Sequence, residues 1–489
     1  MRLPEVLRRA GVETPLSAVP DHLSITGITA DSRAVRPGMI FAALHGTHMD
    51  GRSYIPQAVA GGAVAVLLDM SPHDVPAGIV AIRVPDARRT LAQVARVLTP
   101  HVPECIAAVT GTNGKTSTVE FLRQIWTLRG DAAGTIGTLG AVAPCVLPDC
   151  GPVLTTPDSV GLMRLLGAMA ENGVGHVAIE ASSHGLEQRR LDGLTPYAAG
   201  FSNLTRDHLD YHGTTEHYRA AKLRLFDTIL PEGGIAAINA DMDVATCAAI
   251  TDIARRRDLV LRSTGEQGAT LRLLEARPTP TGQVLRIATA AMEHEVTVPL
   301  VGRFQVDNML LAAAMADRDV DGPDRSVPLL ARLRGVRGRM EQVAVLSSGA
   351  AAYVDYAHTP DALERLLRSL RPHTRGRLVV VMGAGGDRDR GKRPVMGETA
   401  TRLADRVIVT DDNPRTEQPA AIRAAIMAAA PGATEIGDRR QAIAAGLDML
   451  DAGDVLVVAG KGHEQGQIVG RDVLPFDDAT VIRGLMGNE

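Results

Sequence analysis

An apolar run, Ile106 to Val109, leads into Thr110-Gly111-Thr112-Asn113-Gly114-Lys115-Thr116-Ser117, a stretch with the residue types that hold nucleotide phosphates. Small residues let backbone N–H groups turn inward, the lysine reaches the terminal phosphates, and a hydroxyl meets magnesium. Gly111, Thr112, Asn113, Gly114, Lys115, Thr116 and Ser117 are therefore candidates for ATP binding. The spacing departs from the general phosphate-loop pattern, because Val109 stands five positions before Gly114 where glycine is usual. A plain strand–turn–helix with a surface lysine is the competing reading.

A triphosphate site needs a metal, and a metal needs hard oxygen or imidazole ligands. Thr116 supplies one oxygen, and Glu180, at the end of the apolar run His176-Val177-Ala178-Ile179, stands where a second is expected. Asp207-His208-Leu209-Asp210-Tyr211-His212 adds possible ligands, although its histidines alone read as ordinary hydrogen-bonding residues. Lys222, in Tyr218-Arg219-Ala220-Ala221-Lys222-Leu223-Arg224-Leu225-Phe226, reads from spacing alone as a lysine on an amphipathic helix.

Three more charged loops follow β-branched runs near the end of the chain: Gly383–Asp389 after Leu378–Met382, Asp411–Arg415 after Arg406–Thr410, and Gly460–Glu464 after Val455–Val458. In an open parallel sheet, ligands bind beyond the carboxyl ends of the strands. Three such loops predict one site, separated in sequence and adjacent in space.

The elements that must carry these residues alternate between strand and helix, which argues for α/β architecture with parallel sheets covered on both faces. After the phosphate loop, Val119, Leu122 and Trp126 fall at i, i+3 and i+7, Ile125 widens the face, and Gly130 sits at a C-cap. Upstream, strands are predicted at Met39–Leu44, Ala63–Leu68 and Ile79–Val84, with a helix near Leu91–Leu98. At 489 residues the chain is too long for one core. Texture divides it at 1–100, 101–336 and 337–489, with Thr99–Pro103 as the first link and Arg332–Gly338 as a hinge. A 45% hydrophobic and 22% charged composition is that of a globular protein, and a net charge of -4 gives no reason to expect nucleic acid or an anionic membrane. Four cysteines without zinc-like spacing, and no apolar leader or spanning run, point to reduced thiols and a cytoplasmic protein. A monomer is expected, although nothing in the sequence derives the oligomeric state.

The motifs resemble those of the Mur ligase family, ATP-dependent amide-bond ligases of peptidoglycan precursor synthesis. Thr110–Thr116 matches that family's phosphate loop, which accounts for the missing early glycine. Asp31-Ser32-Arg33, Asp50-Gly51-Arg52, Thr155-Thr156-Pro157-Asp158, Glu180–Leu186, Asp207–His212 and Asp355-Tyr356-Ala357-His358 follow in the family's order, so the resemblance covers nearly the whole chain. It implies three α/β domains: an N-terminal domain for the nucleotide sugar, a central phosphate-loop ATPase-like sheet, and a Rossmann-like C-terminal domain for the amino acid. It also implies closure of the last domain over ATP, because phosphate loop and amine pocket lie in different domains.

The resemblance is closest to the members that add the third residue of the peptide stem, and it assigns roles residue by residue. Lys222 would be carbamylated by carbon dioxide, turning a cation into an anionic oxygen ligand. Thr116 and Glu180 would hold one magnesium ion, and Glu180, His208 and Lys222 a second. Lys115, Lys222, His208 and Glu180 would form the catalytic set. Asn308, Arg339, Asp355 and His358 would contact ATP. Ala30, Ser32, Thr47, His48 and Met49 would hold the uridine part of UDP-N-acetylmuramoyl-L-alanyl-D-glutamate, and Thr155, Thr156, Ser182, Gln188 and Arg190 its sugar–peptide part. Leu154, where some relatives have asparagine, and Ala181, in place of a common valine, depart from the pattern.

The implied reaction activates the D-glutamate side-chain carboxylate by γ-phosphoryl transfer from ATP. The free amine of the incoming amino acid then attacks the acyl phosphate. Relatives add meso-diaminopimelate or L-lysine, which differ by one terminal carboxylate. A buried carboxylate needs a cationic hydrogen-bonding partner, and arginine is the usual one. Asp412-Asn413-Pro414-Arg415 is the form associated with diaminopimelate, with Arg388, Gly460 and Glu464 completing the pocket. An L-lysine-adding ligase is the nearest alternative. A nicotinamide-dependent oxidoreductase is suggested by Gly383-Ala384-Gly385-Gly386, but Arg388 occupies the place of the third fingerprint glycine. A non-catalytic phosphate-loop switch would not need three substrate-like loops, and a folate polyglutamylating ligase would not explain Arg415.

Overall fold

The computed structural model describes all residues except 13–19, 47–48, 71–72, 206–208, 280 and 488–489. Its α/β chain divides into two compact units, one of residues 1–270 with 311–323 and one of 271–310 with 324–489. The expected boundary at 336 thus falls inside the second unit.

The first unit opens with a four-stranded parallel sheet, β1 (Gly27–Thr29), β2 (Met39–Ala42), β3 (Ala65–Asp69) and β4 (Val80–Val84), in sequence order. The helix Ala87–Leu98 starts four residues before the expected stretch. Asp86 caps it by accepting from Arg89 N at 2.9 Å, a local bond that specifies the start.

The larger sheet of this unit contains β5 (Cys105–Thr110), β6 (Ala133–Gly137), β7 (Gly140–Val142), β8 (His176–Glu180), β9 (Ala198–Phe201), β10 (Ile235–Asn239) and β11 (Val260–Gly265). Their spatial order is β11-β10-β9-β5-β8-β6-β7, parallel except for the β6–β7 hairpin. Residues 106–109 are buried on both faces, so β5 is central, as its uninterrupted apolar run requires. Helix Lys115–Leu128 covers it, burying Val119, Leu122, Ile125 and Trp126. Gly130, at φ +96°, ends it, with Asp131 N donating back to Trp126 O.

The second unit begins with an antiparallel meander, β12 (Leu271–Thr279), β13 (Gly282–Ala288) and β14 (Glu293–Val298). Its main sheet comprises β15 (Glu341–Val345), β16 (Ala351–Asp355), β17 (Leu378–Met382), β18 (Arg406–Val409), β19 (Thr434–Glu435) and β20 (Val455–Ala459). The order is β15-β16-β20-β17-β18-β19, with only the β15–β16 pair antiparallel. Helix Pro360–Leu370 packs on it through Leu363, Leu366, Leu367 and Leu370, spaced i, i+3, i+4 and i+7. A hairpin, β21 (Gly466–Val469) and β22 (Asp472–Pro475), follows the β20 loop. None of the four cysteines is disulfide-bonded, and among the described residues no helix is long and apolar enough to cross a membrane.

Candidate active site

In the first unit the phosphate loop leaves β5 between β8 and β9, where the strand order switches direction. Val109 lies inside β5, paired in register with Glu180, so the position where glycine is usual belongs to the strand and the turn begins two residues later. The segment after β9 clamps the loop. Thr112 N donates to Asn203 O at 2.8 Å, Asn113 N to Asn203 Oδ1 at 3.0 Å, and Ser202 Oγ to Asn113 O. Thr112 Oγ1 donates to Thr205 O and accepts from Thr205 N. Sequence reading missed Ser202, Asn203 and Thr205; their signal was only their place after a strand.

Lys115 Nζ donates to the carbonyls of Gly111 and Thr112, at 2.9 Å each. Lys222 is not the solvated lysine that its spacing suggests. It is 1% exposed, its Nζ donates to Gly111 O at 2.8 Å, and it lies 4.4 Å from the centre of the Tyr218 ring. The helix Thr215–Arg224 that carries it passes into a π-helical turn, Leu225–Ile229. That turn continues a buried face through Leu225, Phe226 and Ile229, which holds Lys222 inward rather than in solvent.

Glu180 is 1% exposed, and among the described residues its carboxylate accepts only from Thr138, N to Oε1 at 2.8 Å and Oγ1 to Oε2 at 3.2 Å. A buried carboxylate with neutral donors and no paired cation among the described residues is an incompletely balanced charge. Hard oxygen, buried and unpaired with a base, suits a divalent cation. Gly137 gives it room, since a Cβ there would lie 2.2 Å from Glu180 Oε1. Thr116 and Ser117, on the first turn of the loop's helix, are both buried. His208 lies outside the described residues, and among those described no cluster of three acidic, histidine or cysteine side chains forms a ready metal site.

The five sugar–peptide candidates come together around Thr156. Its Oγ1 donates to Glu180 O at 2.7 Å, lies 3.0 Å from Ser182 Oγ, and accepts from Ser182 N. Arg190 donates to Thr156 O at 2.6 Å and to Gln188 Oε1 at 2.8 Å, while Thr155 Oγ1 is 3.1 Å from Thr138 Oγ1. Arg190 has only neutral acceptors and no carboxylate partner among the described residues. Burial works against its charged form, so an arriving anion would compensate it.

Toward the N-terminus, Ser32 Oγ donates to Gln57 Oε1 at 2.9 Å, while Ala30 and Met49 are exposed. Thr47 and His48 lie outside the described residues. Ala43, His45, Arg52, Leu68 and Asp69 line a cavity of about 320 Å³ nearby in the same unit.

The remaining ATP candidates belong to the second unit, where two relays join them. Asn308 Nδ2 donates to Gln305 Oε1 at 3.3 Å, and Gln305 Nε2 to Arg339 O at 3.0 Å. The Arg339 guanidinium lies 4.6 Å from the centre of the Tyr356 ring, and His358 Nδ1 is 2.8 Å from Tyr356 O. Asp355 accepts from Met340 N and Ala357 N, with burial pushing its carboxyl up. Burial pushes the His358 imidazole down.

The three charged loops of the second unit do converge, at the carboxyl ends of β17, β18 and β20. Gly386 N donates to Asn413 O at 3.0 Å, and Asn413 Nδ2 to Glu464 Oε2 at 2.8 Å. A Cβ on Gly386 would fall 1.9 Å from Pro414 O, so only glycine allows this approach. Asn413 and Arg415 have φ of +43° and +52°, and Gly460 packs a backbone without Cβ against Asp412. Arg415 Nη1 donates to Gly386 O at 2.8 Å, and its backbone N to Ile468 O of the hairpin. Its Nε and Nη2 have no hydrogen-bond partner among the described residues, and Arg388 is exposed and likewise unpaired. Burial pushes the Glu464 carboxyl up, against the opposing bond from Asn413. The sequence reading missed Lys461 and the hairpin, which complete this pocket.

Comparison with known proteins gives the same pattern along the chain. The Mur ligase middle domain matches residues 109–316, the Mur ligase glutamate ligase domain residues 338–462, and the Mur ligase family catalytic domain residues 24–99. A protein of Caulobacter vibrioides named UDP-N-acetylmuramoyl-L-alanyl-D-glutamate–2,6-diaminopimelate ligase is 50% identical over 468 residues, 95% of this chain and 96% of its own. One of the same name from Agrobacterium fabrum is 51% identical over 464 residues, covering 95% and 94%. A solved structure of a ligase with that name superposes with a TM-score of 0.70 at 34% identity, over 95% of both chains.

Proposed function

This chain belongs to the Mur ligase family, and from that premise we propose that it joins meso-2,6-diaminopimelate to the D-glutamate side-chain carboxyl of UDP-N-acetylmuramoyl-L-alanyl-D-glutamate. ATP is the co-substrate and leaves as ADP and phosphate, in cytoplasmic peptidoglycan precursor synthesis. The observation that carries the choice of amine is the Arg415 guanidinium, whose Nε and Nη2 have no hydrogen-bond partner among the described residues, in a pocket that also holds Glu464. A terminal carboxylate would take that open edge in a bidentate bond, while Glu464 would accept from the ammonium on the same carbon. L-Lysine offers no carboxylate there and would leave Arg415 unused.

In the first unit Lys115 and the loop amides would neutralise charge on the transferring phosphoryl group. Arg190, which has no carboxylate partner among the described residues, would hold the peptide end of the nucleotide sugar by pairing with its carboxylate. Thr116, Glu180, His208 and a carbamylated Lys222 would hold magnesium. Bound there, magnesium would supply Lewis-acid neutralisation of phosphate and acyl-phosphate oxygens. Phosphoryl transfer makes the glutamate carboxylate an electrophile, and the amine must then arrive as the free base.

Phosphate release tests this reading. Turnover is expected only when ATP, the nucleotide-sugar dipeptide and the amino acid are all present. Phosphate release independent of the amino acid, or hydride exchange with a nicotinamide, would contradict it.

A further inference from the structure

The amino-acid pocket contains a buried cation that the chemistry above does not use. Lys461 has no exposed surface. Its Nζ donates to Asn413 Oδ1 at 2.9 Å and to Gly466 O at 2.8 Å, and lies 3.5 Å from Asp412 Oδ1 and 3.9 Å from Glu464 Oε2. The backbone N of Ile468 donates to the same Asn413 oxygen at 2.9 Å. Two donors on one atom identify it as the amide oxygen, which leaves Nδ2 to donate to Glu464. Without Lys461 the amide could turn, presenting its oxygen to a carboxylate.

We propose that Lys461 is a positioning residue for diaminopimelate: it fixes the Asn413 amide, which aims the Glu464 carboxylate at the substrate ammonium and keeps it ionised. This rests on the proposed function and names what sets that pocket. The charge balance supports it. Asp412 and Glu464 are neighbouring carboxylates, and Asp412 favours the protonated form of Glu464, as does burial. Lys461 and Arg415 oppose both, and the other charged or titratable groups acting there are Arg439 and Tyr356. Arg439 is already committed, buried in a two-bond pair with Asp478. Loss of Lys461 would therefore leave Glu464 with less opposition to protonation.

The test is a double-mutant cycle of Lys461→Met and Glu464→Gln, with KM and kcat measured for each substrate across pH. Lys461→Met is expected to raise KM for diaminopimelate about 10-fold or more while KM for ATP holds. The acid limb of kcat/KM should move to higher pH. In the Glu464→Gln background the same change should cost little, because its target is gone. Asn413→Asp is a second variant with the protein fold less at risk: it still accepts from Lys461 and Ile468 but offers Glu464 no donor, and KM for diaminopimelate should again rise. Additive losses in the cycle, an unmoved acid limb, or an unchanged KM in Asn413→Asp would overturn the proposal. All variants are assayed with both amino acids. A wild type that prefers L-lysine would refute the substrate assignment, while the Lys461–Glu464 coupling is still read with that amine.

Discussion

Lys115 and Lys222 donate to one acceptor, the carbonyl oxygen of Gly111, at 2.9 and 2.8 Å. Two ammonium groups on one oxygen repel, and burial raises the cost of the second charge. A carbamate on Lys222 would replace that repulsion with attraction. Activity should therefore fall in buffer stripped of carbon dioxide and return when bicarbonate is added. Lys222→Met should lose about 10²-fold or more in kcat and show no bicarbonate response. Wild-type activity indifferent to bicarbonate, matched by a Lys222→Met enzyme of normal rate, would contradict the carbamate.

Glu180 is a buried carboxylate without a cationic partner among the described residues, so its charge should govern metal affinity. Glu180→Gln keeps the size and can still accept from Thr138, yet it should raise the magnesium concentration for half-maximal activity about 10-fold or more. Magnesium titration of both proteins checks this. Gly137→Ala should act on the same group by crowding it, costing about 1–3 kcal/mol of stability with a parallel loss of rate.

Among the described residues the Arg190 guanidinium bonds only neutral oxygens, and it should be completed by a substrate carboxylate. Arg190→Lys keeps the charge but loses the fork. It should raise KM for the nucleotide-sugar dipeptide by about 10-fold, with KM for the amino acid unchanged. An equal rise for every substrate would point to general disruption instead.

These sites were unequally legible in the sequence. The phosphate loop and the three charged loops announce themselves because strand ends are where an open sheet places ligands, and the strands are strongly apolar. Lys222 is different. Its helix has the composition of a solvated face, and its burial comes with the π-helical turn that follows it and the aromatic ring of Tyr218 beside it. Lys461 sits in a polar loop whose lysine would ordinarily be exposed; its burial depends on the hairpin that folds over it. Ser202 and Asn203 clamp the phosphate loop through the Ser202 hydroxyl and through both the side-chain amide and the backbone carbonyl of Asn203, from a segment about ninety residues downstream that carries no motif of its own.

His463 should mark the second unit's acid sensitivity. Burial, with Arg339 and Arg337 nearby, pushes its imidazole down to about 4, and its buried Nδ1 has no hydrogen-bond partner among the described residues. A folded-state value below the ordinary 6.5 stabilises the fold above that pH, and the contribution is lost as pH falls toward 4. Allowing for partial exposure, the loss should be about 1–2 kcal/mol. Urea denaturation across this window should show it, and His463→Asn should flatten the slope. Parallel slopes for the two proteins would exclude His463 as the source.

The choice of amine is the central claim, and product formation from meso-diaminopimelate and from L-lysine, by wild type and by Arg415→Ala, tests it most directly. The wild type should make product from diaminopimelate in large excess over lysine, and Arg415→Ala should lose most of that preference by raising KM for diaminopimelate alone. Equal use of the two amino acids by the wild type, or a preference that survives the loss of Arg415, would contradict the account.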